Sequence, residues 1–202
     1  MIDITGVILA GGRAKRMANT ASPEAIDKGL VNFLAEPMVT HVAKRLAQQV
    51  SEVLINTNQN ISAYIALGYP VVTDSIPDFA GPLAGLHAGM QAANTPYVLT
   101  VPCDSPLLAL DLADRLLRAL LSSTADVAVA KTGEQVHPVF CLCGKNLLVH
   151  LETYLHSGGR KFDAWYATLN VIEVPFDDNP NAFANINTPA DLIALENTSW
   201  LL

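Results

Sequence analysis

Short β-branched runs alternate with longer amphipathic stretches along this chain, and that alternation restricts it to a mostly parallel sheet covered by helices. Ile4 to Leu9, Val53 to Asn56, Val71 to Thr73 and Tyr97 to Val101 read as strands. Pro37 to Gln49, Ile61 to Leu67 and Pro82 to Ala93 read as the helices between them, the first with Pro37 at its start and Met38, Val42 and Leu46 at helical spacing. Leu110 to Ser122 is a strongly amphipathic helix. After Ser123 the character changes: Asp126 to Ala130 and Gln135 to Cys143 read as strands joined by a Thr-Gly-Glu turn, which adds an antiparallel element. Lys145 to Leu155 and Phe162 to Leu169 read as helices punctuated by Gly158-Gly159, Val171 to Val174 as a strand and Pro189 to Glu196 as a closing helix. No repeat or low-complexity linker interrupts the pattern. The expectation is one α/β domain over 1–202, a Rossmann-like three-layer sandwich whose mostly parallel sheet carries an antiparallel element in its C-terminal half.

Composition narrows what such a domain can bind. The 202 residues are 50% apolar and 15% charged, a globular composition able to bury a sizeable core. No apolar run approaches the ~20 residues of a membrane span. The opening MIDITGVILAGG has an acid at Asp3 and no basic leader, so the expectation is a soluble, cytoplasmic protein without a secretory signal. Cys103, Cys141 and Cys143 are too few for a disulfide framework and read as buried thiols. A net charge of −7 with no basic stripe argues against nucleic acid as a partner. An anionic ligand must therefore be held by local cations and backbone amides. One basic cluster stands out, Arg13, Lys15 and Arg16 followed by Lys28.

Three motifs carry the chemistry. Leu9-Ala10-Gly11-Gly12-Arg13 follows the first strand, where paired glycines let backbone amides approach a nucleotide and the basic residues can neutralise phosphates. A tight strand-to-helix turn is the plain alternative; neither GxxxxGK[ST] nor GxGxxG occurs, which removes two common rivals. In Asp27-Lys28-Gly29, Lys28 can act as a point charge on phosphates, or belong to an ordinary surface turn with little role in folding. Pro102-Cys103-Asp104-Ser105-Pro106 ends a strand at the edge where open α/β sheets bind ligands, and a carboxylate there suits a Mg²⁺ bridged to phosphates, or else caps the following helix.

Taken with further stretches, these motifs make the chain resemble the molybdenum cofactor guanylyltransferases, in the MobA-like branch of the nucleotidyltransferases. The matching stretches are LAGGRAKRM at 9–17, DKGL at 27–30, INTN at 55–58, VVTDS at 71–75, GPLAGL at 81–86, PCDSP at 102–106, HPVF at 137–140 and NINTPADL at 185–192. The resemblance implies that Leu9, Ala10, Gly11, Gly12, Arg13, Lys28, Asn56, Asp74, Gly81 and Asp104 hold the nucleotide, with Asn56 and Asp74 reading base and ribose. Asp104, Lys28 and Arg16 would carry catalysis, and Asp104 with Asn187 would bind Mg²⁺. His137, Pro138, Arg160 and Asn185 would hold the acceptor, so that 1–123 is the nucleotide-binding half and 124–202 the acceptor-binding half. For His137 and Arg160 the alternatives are a structural imidazole and a surface arginine; Asn187 can also serve as a helix N-cap before Pro189.

The implied reaction is attack by the terminal phosphate of molybdopterin on the α-phosphorus of GTP, with release of pyrophosphate. The nucleophile is already anionic, so the protein must align it and neutralise charge. Implied partners are GTP and molybdopterin, then molybdenum-insertion proteins and target molybdoenzymes or their chaperones, with no nucleic acid and no membrane. A cytidylyltransferase for the same pterin, a sugar-phosphate nucleotidyltransferase and a non-catalytic GTP-binding module are the alternatives. The chain departs from the resemblance in one place: residues 18–26 form a longer insertion without the usual glycine after Met17, expected to act as a lid and leaving open how Lys28 is delivered.

Overall fold

A computed structural model describes residues 3–10, 13–14, 26–76 and 81–198. The chain begins with β1 (Ile4–Leu9), then two pairs of two-residue strands, β2 (Arg13–Ala14) with β3 (Ile26–Asp27) and β4 (Asn32–Phe33) with β5 (Glu36–Pro37). It continues through α1 (Met38–Leu46), β6 (Glu52–Asn56), α2 (Ile61–Ile65), β7 (Val71–Val72), α3 (Pro82–Ala92), β8 (Tyr97–Pro102) and α4 (Leu112–Leu121). The C-terminal part is β9 (Val127–Thr132), β10 (Gln135–Gly144), α5 (Leu148–His156), α6 (Phe162–Tyr166), β11 (Val171–Pro175) and α7 (Pro189–Thr198).

Seven strands form one sheet in the order β11-β9-β10-β8-β1-β6-β7. β1 lies parallel between β6 and β8, β7 is parallel to β6, and β11 is parallel to β9. β10 alone runs antiparallel to its neighbours β8 and β9, as the Thr-Gly-Glu turn requires. Six strands thus end at one edge of the sheet and β10 begins there.

The alternation of strand side chains divides the core into two layers. Ile4 and Ile8 point into a cluster with Val42 and Leu46 of α1 and Leu112, Leu116 and Leu120 of α4. Val7 points the other way, toward Leu83, Leu86 and Met90 of α3, Leu151 of α5 and Trp165 of α6. This is the expected three-layer sandwich. Cys141 and Cys143 alternate with Leu142 and enter the second layer together as free, buried thiols, while Cys103 lies in the first. No helix among the described residues is long and apolar enough to cross a membrane.

Local differences from the expected elements have physical causes. Helix α1 starts at Met38, because Pro37 is paired with Asn32 in β5 and takes the cap position instead of the first turn. Its hairpin is closed by Leu34 and Ala35 at φ 47° and 67°, a left-handed turn without the Gly or Asn that would announce it. Helix α7 is capped by Thr188, not Asn187: Thr188 Oγ1 accepts from Asp191 N–H at 3.1 Å, and the Asp191 carboxylate accepts from Thr188 N–H at 2.9 Å. That leaves the Asn187 side chain for other partners.

Candidate active site

The chain leaves β1 along the ladder it has just formed. Ala10 N–H donates to the Asn56 carbonyl at 2.8 Å, and the Leu9 carbonyl accepts from Cys103 N–H at 3.2 Å. At these two atoms the backbone expected to hold a nucleotide is committed to the sheet. Gly11, Gly12 and Arg16 lie outside the described residues, as does the insertion from 18 to 25. Arg13 pairs through its backbone with Asp27, so β2 and β3 bring the chain back to the sheet edge immediately before Lys28.

Lys28 opens a 3₁₀ turn, Lys28–Leu30, anchored by the residue before it. Asp27 Oδ1 accepts from Gly29 N–H at 3.2 Å and from the Tyr64 hydroxyl at 2.6 Å, and Oδ2 accepts from Asn60 Nδ2 at 3.0 Å. Gly29 is required by close approach: a Cβ there would lie 2.5 Å from Tyr64 Oη and 3.3 Å from Cys103 Sγ. From this turn the Lys28 ammonium reaches Asp104 Oδ2 at 3.3 Å and Asn187 Oδ1 at 2.5 Å. Three residues separated by up to 159 positions thus meet at the carboxyl edge of β1 and β8.

Asp104 and Lys28 are shielded, with side chains 13% and 20% exposed. Burial pushes the Asp104 carboxyl above its ordinary range, and the Lys28 ammonium opposes that shift. The loop before α7 completes this corner. Ile186 N–H donates to the Asp104 carbonyl at 2.9 Å, and buried Ser105 donates its hydroxyl to Asn185 Oδ1 at 2.6 Å. Asn185 is therefore tied to the Asp104 loop, and it and Asn187 flank Ile186, which is buried against Phe33 and Met38.

A second cluster sits at the ends of β6 and β7. Asn56 Nδ2 donates to Asp74 Oδ1 at 2.9 Å, and Asn58 Nδ2 donates to Asp74 Oδ2 at 2.7 Å. Asn58 Oδ1 in turn accepts from Asp74 N–H at 2.9 Å. Asn58 thus joins the cluster beside the two residues the resemblance implies, and its place two residues after Asn56 at a strand end, within INTN, is the sequence signal for it. Helix α3 approaches this cluster closely, since a Cβ on Gly85 would clash with Asn56 Oδ1. Gly81, at φ 76°, caps α3 and faces the Arg160 carbonyl.

The residues of the C-terminal half are more committed to structure. His137 lies near the start of β10, where its Nε2 is 2.8 Å from Thr132 Oγ1 and its ring stacks on Phe183 at 4.7 Å. Burial holds its imidazole below the ordinary value. The Pro138 carbonyl accepts from the Tyr166 hydroxyl at 2.6 Å. Helix α5 ends in a left-handed Gly158, with Gly159 N–H donating to the Tyr154 carbonyl and Gly158 N–H to the Leu155 carbonyl, both at 3.1 Å. Arg160 Nη1 then donates to the carbonyls of Leu155 and Gly159, each at 2.7 Å. Arg160, which the resemblance puts on the acceptor, caps the end of α5 through its Nη1 in this structure. A basic residue just beyond a Gly-Gly helix end was the signal for that role.

A cation is already accommodated between Asp104 and Asn187, in the form of the Lys28 ammonium. Their hard oxygen donors fit Mg²⁺, which takes one or two protein ligands and completes its shell with phosphates and water. Among the described residues no group of three or more His, Cys, Asp or Glu side chains could hold a metal without such help.

This geometry can be set beside known proteins. The family model for the MobA-like NTP transferase domain matches residues 6–170. A molybdenum cofactor guanylyltransferase of Ralstonia nicotianae is 52% identical over 94% of both chains, and one of Bordetella petrii 50% identical over 94% of this chain and 95% of its own. Among solved structures, molybdopterin-guanine dinucleotide biosynthesis protein A of Archaeoglobus fulgidus superposes with a TM-score of 0.80 at 19% identity, over 98% of this chain and 100% of that one. A nucleotidyl transferase from Methanothermobacter superposes with a TM-score of 0.74, also at 19% identity, over 98% of each chain, so the structures share the fold. From the carboxyl-edge site through the sheet beneath it, the chain belongs to the MobA-like nucleotidyltransferase family.

Proposed function

We propose that this protein transfers GMP from GTP to the terminal phosphate of molybdopterin, forming the guanine dinucleotide cofactor and releasing pyrophosphate. The observation that carries the reading is the meeting of Lys28, Asp104 and Asn187 at the carboxyl edge, beside the Asn56–Asp74 cluster, in a chain about half identical to guanylyltransferases. A phosphate oxygen of the acceptor forms the new bond to the α-phosphorus, and the bond from that phosphorus to the oxygen bridging to the β-phosphorus breaks. Because the nucleophile is an anion, the protein has no proton to remove from it. Its task is to hold two repelling polyanions in line.

Each described residue has a part in that task. Lys28 leaves its Asp104 and Asn187 contacts for the phosphates, where its ammonium offsets charge. Asp104 and Asn187 would hold Mg²⁺ through their side-chain oxygens, and the ion would neutralise charge on the phosphates of the nucleotide. Asn56 and Asp74, fixed against each other and against Asn58, present acceptors to the donor groups of guanine and ribose. Gly81 and Ala10 line the phosphate path. On the acceptor side, His137, Pro138 and Asn185 form the wall, and Arg160 shapes it through its cap on α5. In this reading the 1–123 half binds nucleotide, the 124–202 half binds pterin, and the reaction takes place in the cytoplasm.

Pyrophosphate release with molybdopterin and each of GTP, CTP, ATP and UTP tests the proposal. GTP should be preferred by at least about tenfold, a difference of ~1.4 kcal/mol in transition-state stabilisation. Preference for CTP would replace the reading with a cytidylyltransferase, and GTP binding without turnover would replace it with a regulatory module.

A further inference from the structure

The lysine of the site is held from behind by groups that take no part in the chemistry proposed for it. Helix α2 is short, and its Tyr64 is wholly buried with its hydroxyl directed at Asp27 Oδ1, 2.6 Å away. Asn60, in the left-handed region at φ 49°, caps α2 and donates to the other oxygen of the same carboxylate. Burial, with Cys103 and Asp27 adding to it, raises the pKa of the Tyr64 hydroxyl, so it remains a donor at all working pH values. The Asp27 carboxylate also takes the Gly29 amide, and Gly29 closes against Tyr64 Oη and Cys103 Sγ with no room for a Cβ. Both residues flanking Lys28 are thereby fixed to the first core layer.

Resting on the function proposed above, we infer that Tyr64 and Asp27, with Asn60 on the outer oxygen, are positioning residues that latch the Lys28 turn to α2. The latch sets where the Lys28 ammonium can reach, from within the first core layer. It accounts for delivery of the lysine to Asp104 and Asn187 across an insertion that lengthens the connection from β1. Neither Tyr64 nor Asp27 touches a reacting atom in this account, so each acts through Lys28.

Chemical labelling of lysine amines in the full-length chain, read by mass spectrometry, tests the latch without any substrate. In Tyr64→Phe, which removes only the hydroxyl, Lys28 should label about fivefold faster than in the parent protein, the equivalent of one lost hydrogen bond. Asp27→Asn should give a larger increase. Lys44 and Lys131 on the same molecule should label at unchanged rates, and guanylyl transfer should lose turnover more than affinity for GTP. If Tyr64→Phe does not fold, Asn60→Ala, at the exposed edge of the latch, carries the same expectation. Unchanged Lys28 labelling, or a rise shared by Lys44 and Lys131, overturns the inference. Faster Lys28 labelling in a protein that transfers no GMP would leave the latch standing and defeat the proposed function instead.

Discussion

Lys28→Ala should destabilise the protein as well as slow it. Read as a surface-loop lysine, Lys28 has little to do with folding, but the structure gives its ammonium two partners, Asp104 at 3.3 Å and Asn187 at 2.5 Å. Truncation leaves the Asp104 carboxylate, only 13% exposed, without its counter-charge. Losing a charge-assisted bond in such a setting costs about 1.5–3 kcal/mol. In a domain of this size that lowers Tm by roughly 3–12 °C. Thermal melts of the two single variants and of Lys28→Ala/Asp104→Asn form a cycle that isolates the pair. The double variant should recover most of the loss, because it removes the uncompensated charge. The pH dependence has a defined sign. Burial raises the Asp104 pKa and Lys28 opposes it, so Lys28→Ala raises it further. A carboxyl whose folded value exceeds its unfolded one loses stability as pH rises through the folded value. The deficit of Lys28→Ala should therefore be full at neutral pH and shrink in acid. An unchanged Tm, or strictly additive losses in the cycle, refutes the reasoning.

Two further outcomes follow from buried contacts. Gly29→Ala places a Cβ 2.5 Å from Tyr64 Oη and should cost about 1–3 kcal/mol as overpacking, measured by urea denaturation, with a matching loss of turnover; full stability would mean that the turn moves freely. His87 is wholly buried in α3, its Nδ1 3.3 Å from Ser75 Oγ and its Nε2 4.0 Å from a Glu152 oxygen, and burial lowers its pKa against the pull of Glu152 and Asp74, with His156 adding to the lowering. Because the unfolded chain takes this proton below pH 6.5 and the folded one does not, stability should fall on acidification by up to about 1.4 kcal/mol per pH unit. His87→Gln should flatten that slope, and an identical slope in both proteins would show that His87 does not set it.

The large elements and the motif residues were legible because both depend on local pattern. The β-branched runs of β1, β6 and β8 and the helical spacing of Leu112, Leu116 and Leu120 in α4 specify their own structures, and parallel order then brings Asn56, Asp74 and Asp104 to one sheet edge through the chain alone. The two short hairpins were not legible, since two-residue strands have no period and Leu34-Ala35 lacks a turn residue. Contacts that join distant segments were also hidden. Asn187 looks like a cap in sequence and becomes a Lys28 partner only after Thr188 has taken the cap. Tyr64 looks like one more apolar position on a short helix, and nothing local reveals that its hydroxyl meets Asp27. The Arg160 contacts to the Leu155 and Gly159 carbonyls were hidden in a different way: the helix-end context is visible in Gly158-Gly159, but the charge of the side chain suggests a ligand first.

The central claim is that Asp104 and its neighbours support guanylyl transfer at this edge of the sheet. It is tested most directly by following label from the α-phosphate of GTP into molybdopterin, with Mg²⁺ present, for the parent protein and for Asp104→Asn. Amide replacement keeps the shape of the side chain and its contact distance to Lys28 while removing the charge that a hard cation requires. The account predicts labelled guanine dinucleotide from the parent protein and a loss of at least about a hundredfold, ~2.7 kcal/mol, in the variant, which a cooperative thermal melt should show to be folded at the assay temperature. Transfer by Asp104→Asn at close to the parent rate under limiting Mg²⁺ would contradict it.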